Sequence, residues 1–271
     1  MNILYQNNID LSKVCYHKFA KMKFNQKSFD IIQINNINYF IKLNNSQQEL
    51  DATLDIVTKI KTIKEKFLFI NIRGIVECNK NILYISDKIA YNDIRYMVSM
   101  FNKKYRAIFL MQSLVSIYIL NHIIGYYHND IHGVDNVANI MIDDIYADRK
   151  KIPITFEFEG MKIPSYVNCI KMIDFEKASS ESDNKNNDAM KMYFPDMPYV
   201  SEPLLFTYFY FVNYDNDYNN KLSNTQKNPK KYHVAINKIA MNIVNKANNR
   251  KDFDLLFIKR IYKSFSKYLF A

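Results

Sequence analysis

Glycine is nearly missing from this chain. Only Gly74, Gly125, Gly133 and Gly160 occur in 271 residues, and all four lie beyond Lys42. A glycine-rich, phosphate-cradling loop ahead of that lysine is therefore excluded, and any phosphate cover must come from other backbone. Cysteine is scarce too: Cys15, Cys78 and Cys169 are odd in number, with no pair at metal-ligand spacing. This argues against a disulfide framework or a zinc site and for a reducing compartment. No block of five or six like charges occurs, so the formal charge of +10 is spread over solvated lysines. A basic balance favours anionic partners, but no stable nucleic-acid partner is expected from it. The opening Met1-Asn2-Ile3-Leu4-Tyr5-Gln6 lacks a basic region followed by an apolar run, so no signal peptide is expected. Internal repeats are absent.

What is present is apolar material, 48% of residues, enough for a sizeable core. From Ala107 to Tyr127 there is no Asp, Glu, Lys or Arg, a length that could span a bilayer. Gln112, Ser113, Ser116, Asn121 and His122 interrupt it, so a helix buried on most sides is expected and a membrane span is not. Strands are expected at Phe29 to Ile34 and Tyr39 to Leu43 around an Asn35–Asn38 turn. A helix capped by Ser46 follows at Gln47 to Lys61, then strands at Phe67 to Ile70, Ile75 to Cys78 and Ile82 to Ile85. Beyond Asp87 the periodicity becomes helical, at Tyr91 to Phe101 and Tyr105 to Tyr127. A hairpin follows at Ile154 to Pro164, turning at Gly160. Helices at Pro203 to Val212, Val234 to Val244 and Phe253 to Phe270 close the chain. Near the N-terminus a short helix is expected around Leu11 to Met22. The polar stretches Ser179 to Lys191 and Asn213 to Lys231 read as loops. A β-rich front and a helical back imply an α+β protein in two parts, 1–87 and 88–271.

Chemistry concentrates after the long apolar helix. His128-Asn129-Asp130-Ile131-His132 is followed by Asn139-Ile140-Met141-Ile142, and later by Ile173-Asp174-Phe175-Glu176. A carboxylate, a carboxamide and a second carboxylate, each beside an apolar run, suit magnesium-dependent phosphoryl transfer. That reaction asks a protein for positioning and for charge cancellation on phosphates. Asp130 would receive or orient a hydroxyl proton. Asn139 and Asp174 would be metal ligands through oxygen. Lys42 would neutralise phosphate, held by a helix carboxylate, either Glu49 or Asp51; the sequence does not choose between them.

These residues resemble the protein-kinase-like superfamily: His128-Asn129-Asp130 is similar to its H-x-D, Asn139 to its catalytic-loop Asn, Asp174-Phe175-Glu176 to its D-F-G, and Tyr39-Phe40-Ile41-Lys42 to the strand carrying its ATP-binding lysine. The form His-Asn-Asp-Ile-His with Asn-Ile-Met most resembles serine/threonine protein kinases of large DNA viruses, of poxvirus, iridovirus or mimivirus type. The resemblance covers Phe29 to Ser180. It implies a two-lobed fold, with a small antiparallel-sheet N-lobe carrying one main helix and a mostly helical C-lobe. It also implies ATP and Mg²⁺ as cofactors, a protein substrate, and an intracellular setting in the host cytoplasm or the virion. His128 would pack behind the loop. His132 stands where the family often carries a lysine that touches the transferred phosphate.

The chain departs from the pattern in three places. Asn139 lies nine residues after Asp130 rather than the usual five, leaving Asp135 and Asn136 as alternatives. Glu176 replaces the D-F-G glycine, and no A-P-E follows. His-Asn-Asp with Asp-Phe-Glu also resembles small-molecule kinases of choline and ethanolamine type, and Asp130-Ile131-His132 resembles the Asp-x-His of aminoglycoside phosphotransferases. A pseudokinase binding module would accommodate Glu176 and the missing glycines. Oligomeric state stays open.

Overall fold

The computed structural model describes residues 1–12, 14–16, 23–24, 27–44, 46–79, 81–89, 102–131, 139–144, 155–165, 168–175, 177–220 and 229–270. The helix expected at Tyr91 to Phe101 lies outside them, as do His132, Asp135, Asn136 and Glu176.

The first half is built on one antiparallel sheet of six strands in the order β1-β5-β6-β4-β3-β2. Its strands are β1 (Asn2–Gln6), β2 (Lys23–Phe24), β3 (Lys27–Ile34), β4 (Ile37–Asn44), β5 (Ile72–Cys78) and β6 (Asn81–Asp87). Strands β3 and β4 meet in a two-residue turn at Asn35 and Asn36, with φ of 51° and 63°. Both positions need the left-handed region, which asparagine tolerates better than most residues.

The sheet uses its alternation fully. Tyr39, Ile41, Val76, Cys78, Leu83 and Ile85 bury one face under Ile9, Leu11 and Val14 from the N-terminal segment. The next residues in β4 and β6, among them Phe40, Lys42, Tyr84 and Ser86, line a cleft on the other face. Period-two geometry therefore puts Lys42 on the cleft side because Ile41 is in the core. Gly74 lets Leu11 lie close against β5, since a Cβ there would stand 2.7 Å from Leu11 Cδ2.

Helix α1 (Gln47–Ile60) has Ser46 as its N-cap, whose hydroxyl accepts from the Glu49 amide at 3.2 Å. It buries Leu50, Ile56, Val57 and Ile60 in a core that continues into the helical half. That half contains α2 (Lys103–Ile119), α3 (Asn184–Tyr193), α4 (Glu202–Asn220), α5 (Pro229–Val244) and α6 (Arg250–Leu269). It also carries two small two-stranded sheets, β7 (Ile140–Asp144) with β10 (Asn168–Met172), and β8 (Thr155–Phe158) with β9 (Met161–Pro164). The chain is thus an α+β protein. The apolar stretch at its centre is α2 and a following π-turn, Leu120–Ile124. Among the described residues it is the one helix long and apolar enough to cross a membrane, and 89% of the relevant window is buried within the protein. Its polar residues are used internally: Gln112 Nε2 donates to the Pro164 carbonyl at 2.8 Å, and Gln112 Oε1 accepts from the Ile170 amide at 2.9 Å.

Several sequence expectations are corrected. Cys15 and Cys78 form a disulfide across 63 residues, with Cα atoms 5.5 Å apart. The pairing arises because the N-terminal segment crosses the outer sheet face to the end of β5, a juxtaposition invisible to spacing rules. With two of its three cysteines bonded, the chain no longer points to a reducing compartment. Phe67 to Ile70 is not a strand. A 3-10 turn occupies Lys64–Leu68, and Phe69 makes one parallel bridge to Met172, because β1 already takes the edge beside β5. Around Leu11 to Met22 the described residues hold a 3-10 turn, Val14–Tyr16. The supposed loop Ser179 to Lys191 contains α3, capped by Asp183 and anchored by buried Asn186 and Met190. Helices α4 and α5 likewise extend into the supposed loop Asn213 to Lys231, leaving 221–228 outside the described residues.

Candidate active site

A cleft of about 880 Å³ lies between the inner face of the sheet, α1 and the helical half, which contributes Met141 and Ile173 to Phe175. Its apolar lining includes Ile31, Phe40, Ile70, Ile72, Met141 and Tyr84, and its charged floor is Lys42, Glu49 and Asp174. Lys42 Nζ donates to Glu49 Oε1 and to Asp174 Oδ1, both at 2.7 Å. Residues 132 apart in sequence are joined by that second bond. Burial acts to lower the Lys42 pKa, but the charges of Asp174 and Glu49 and the hydrogen bonds to both outweigh it and hold the ammonium above its ordinary value. Glu49 is therefore the helix carboxylate that meets Lys42. Asp51, one of the two candidates, is exposed and accepts instead from Gln47 Nε2 at 2.9 Å. The helix periodicity decides this, because Glu49 falls on the buried side of α1 and Asp51 does not.

The second group of candidates stands at the end of the long helix. The π-turn closes on Gly125, at φ 90°, whose amide and that of Tyr126 both reach the Leu120 carbonyl. Tyr127 then pairs with Ser179, and the chain enters His128-Asn129-Asp130. Strand β7 begins just after Asn139 and pairs with β10, which ends just before Ile173. The Ile173 amide donates to the Asn139 carbonyl at 2.9 Å, so the hairpin-like register sets Asn139 beside the residue preceding Asp174. Asn139 Nδ2 donates to the Asp130 carbonyl at 2.9 Å and to Asp130 Oδ2 at 3.1 Å. Its amide nitrogen is thus committed to Asp130, and Oδ1 is the atom of Asn139 with the chemistry of a hard-cation ligand. Asp174 adopts φ 57° and Asn129 φ 61°, left-handed backbone held at two adjoining points of the site.

His128 is fully buried. Its Nε2 donates to the Ile173 carbonyl at 2.8 Å, and its ring lies 5.8 Å from that of buried Phe175. It thus ties the Asp130 loop to the Asp174 segment. Asn129 does the same on the other side. Its Nδ2 reaches the Lys177 carbonyl, Ser179 Oγ and the Glu181 carbonyl, and its Oδ1 accepts from the Asp183 amide and Asn186 Nδ2.

Two residues that sequence reasoning missed complete the arrangement. Lys177 Nζ donates to Asp130 Oδ1 at 2.7 Å. Glu202, buried at the start of α4, accepts from four donors. The amides of His128 and Asn129 reach it at 3.1 and 2.8 Å, and the side chains of Asn121 and Asn186 at 2.8 and 3.0 Å. Ser201-Glu202-Pro203 reads locally as an ordinary acidic helix start, and nothing in it signals a partner 74 residues away.

The donor set suits a magnesium nucleotide. Mg²⁺ takes hard oxygen ligands and is often held by one or two protein groups together with phosphates. Asp174 and the Asn139 side-chain oxygen fit that chemistry, and buried Lys42 fits phosphate. Among the described residues no group of three or more His, Cys, Asp or Glu gathers as a self-sufficient metal cage. No protein-family model matches this chain, and no curated protein matches it.

Proposed function

We propose that the chain is an ATP- and magnesium-dependent phosphotransferase with a two-lobed protein-kinase-like fold, its lobes 1–87 and 88–271, transferring a phosphoryl group to Ser or Thr hydroxyls of proteins. One observation carries the reading: a buried lysine bridges a helix carboxylate and a distant loop carboxylate at 2.7 Å each, inside a cleft of nucleotide size. In this reading Lys42 binds the phosphates, and Glu49 fixes the direction of its ammonium. Asp174 and Asn139 would hold magnesium, which when bound cancels phosphate charge. Asp130 orients the acceptor hydroxyl and takes its proton. Phe40 and Ile31, from the β3–β4 hairpin, line the cleft, and in this reading they cover the nucleotide in place of glycine-rich backbone. The choice of Ser and Thr as acceptors, a viral origin and an intracellular setting rest on the resemblance of the motifs alone.

The test compares wild type with Lys42→Met and Asp174→Ala. ATP with Mg²⁺ should raise the melting temperature of the wild type; saturation at 100 times Kd corresponds to about 2.7 kcal/mol. It should also transfer labelled phosphate to casein or histone. Both variants should lose transfer, and Lys42→Met should lose the thermal shift. Nucleotide binding without transfer by the wild type would move the protein to the binding-module reading. Saturable phosphorylation of amino-alcohols without protein labelling would move it to the small-molecule kinases.

A further inference from the structure

The carboxylate proposed to receive the hydroxyl proton is held by a cation that the loop motif does not contain. Lys177, beyond Asp174 in the chain, brings its ammonium 2.7 Å from Asp130 Oδ1, while Asn139 holds Oδ2. The placement is fixed twice over. The Lys177 carbonyl accepts from Asn129 Nδ2 at 3.2 Å, and the Ala178 amide closes a turn onto the Phe175 carbonyl at 3.0 Å. Backbone and side chain of Lys177 are thus tied to two consecutive residues of one loop. The side chain is 43% exposed, against 11% for Lys42. Its ammonium has donors beyond the one given to Asp130, and they stay available on a partly exposed side chain.

We propose that Lys177 is the second phosphate-directed cation of this site: Lys42 anchors the nucleotide, and Lys177 acts on the phosphoryl group in flight. This rests on the phosphotransferase reading above. In the step, the acceptor hydroxyl oxygen forms a bond to the terminal phosphorus of ATP. The bond from that phosphorus to the bridging oxygen breaks, the electron pair leaves with ADP, and the hydroxyl proton passes to Asp130. Negative charge is then spread over the equatorial oxygens of the transferring group next to the acceptor. An ammonium pinned to Asp130 stands at that end of the reaction, where it is worth most in the transition state. A carboxylate offers about four acceptor sites, so an ammonium on one oxygen does not by itself bar a hydroxyl from the group. The position also explains why no lysine is required at His132, two residues after Asp130.

The experiment measures kcat and KM for ATP, with casein and histone as acceptors, and ATP affinity by calorimetry, in wild type, Lys177→Met, Lys177→Arg and the exposed control Lys185→Met. Expected is a fall of about 10²–10³ in kcat for Lys177→Met. KM for ATP and ATP affinity should stay within about threefold, Lys177→Arg should recover at least a tenth of wild-type kcat, and Lys185→Met should match wild type. Unchanged kcat in Lys177→Met overturns the proposal. So does a loss of ATP affinity as large as the loss of kcat, which marks a structural role. If the wild type transfers phosphate to no acceptor and hydrolyses no ATP, the phosphotransferase reading fails instead, and the two failures are separable.

Discussion

Replacing Glu202 by Gln is the sharpest probe of how this site is held. The carboxylate is 1% exposed and sits on four N–H donors, two on each oxygen. Among the described residues no cation pairs with it, so these neutral donors alone compensate its buried charge. Gln keeps the shape but turns one oxygen into an NH₂ group. Whichever way the amide lies, two of the four donors then face a donor. In either orientation one main-chain amide and one asparagine are orphaned, His128 with Asn121 or Asn129 with Asn186. A hydrogen bond to a charged acceptor contributes about 1.5–3 kcal/mol, and an orphaned buried donor costs a comparable amount. The expected destabilisation is about 3–5 kcal/mol, a large share of the 5–15 kcal/mol typical of a whole domain. For a chain of this size that corresponds to a melting temperature lower by on the order of 10 °C. Urea melts and thermal scans measure it directly, and hydrogen exchange at the His128 and Asn129 amides reports the local release. A Glu202→Gln protein melting within about 2 °C of wild type, with both amides as protected as before, would show that the loop does not depend on this carboxylate. Glu202→Ala should be worse still, because it orphans all four donors and opens a cavity.

Other outcomes follow from the same geometry. In the phosphotransferase reading Glu49→Gln should weaken ATP binding about tenfold or more, because Lys42 loses one of its two carboxylates, whereas exposed Asp51→Asn should leave ATP affinity within about twofold and stability within about 0.5 kcal/mol; equal losses of ATP affinity would sink the assignment of Glu49. The Lys42 pKa is raised above 10.5, so its ion pairs contribute fully below that pH and are lost only as pH climbs through the still higher folded-state value; ATP affinity that falls between pH 7 and 9 in step with Lys42 deprotonation would contradict this. Burial pushes the Cys169 thiol up to about 12. Iodoacetamide at pH 8 should therefore label no cysteine in the native protein, one after denaturation without reductant, and three after denaturation with it; three without reductant would disprove the Cys15–Cys78 bond.

Much of the architecture was legible in order and type. The Lys42 strand, the capped helix after it, the long apolar helix and the Gly160 hairpin all carry strong local signals, because periodicity and capping act over a few residues. The Asn35–Asn36 turn was legible for the same reason. Elements whose sense depends on a distant partner were not. Phe67 to Ile70 has strand composition but no free sheet edge to join. Residues 184–193 look like loop until Asn186 is seen donating to Asn129 and Glu202. The Cys15–Cys78 pair needs the N-terminal segment folded across the sheet before it has any reason to exist.

Local sequence is enough to say which side chains are chemically capable: Lys42, Asp130, Asn139 and Asp174 are ionic or amide groups placed beside strongly apolar runs, and alternation along β4 already turns Lys42 away from Ile41. Tertiary structure alone decided which of them meet. It chose Glu49 over Asp51 by the burial of one helix face, joined Lys42 to Asp174 across 132 residues, and supplied Lys177 and Glu202 to the Asp130 loop from segments with no motif of their own. The reason is range: local propensity acts through the backbone over one or two turns, while charge pairing and hydrogen bonding to a buried carboxylate depend only on distance in space.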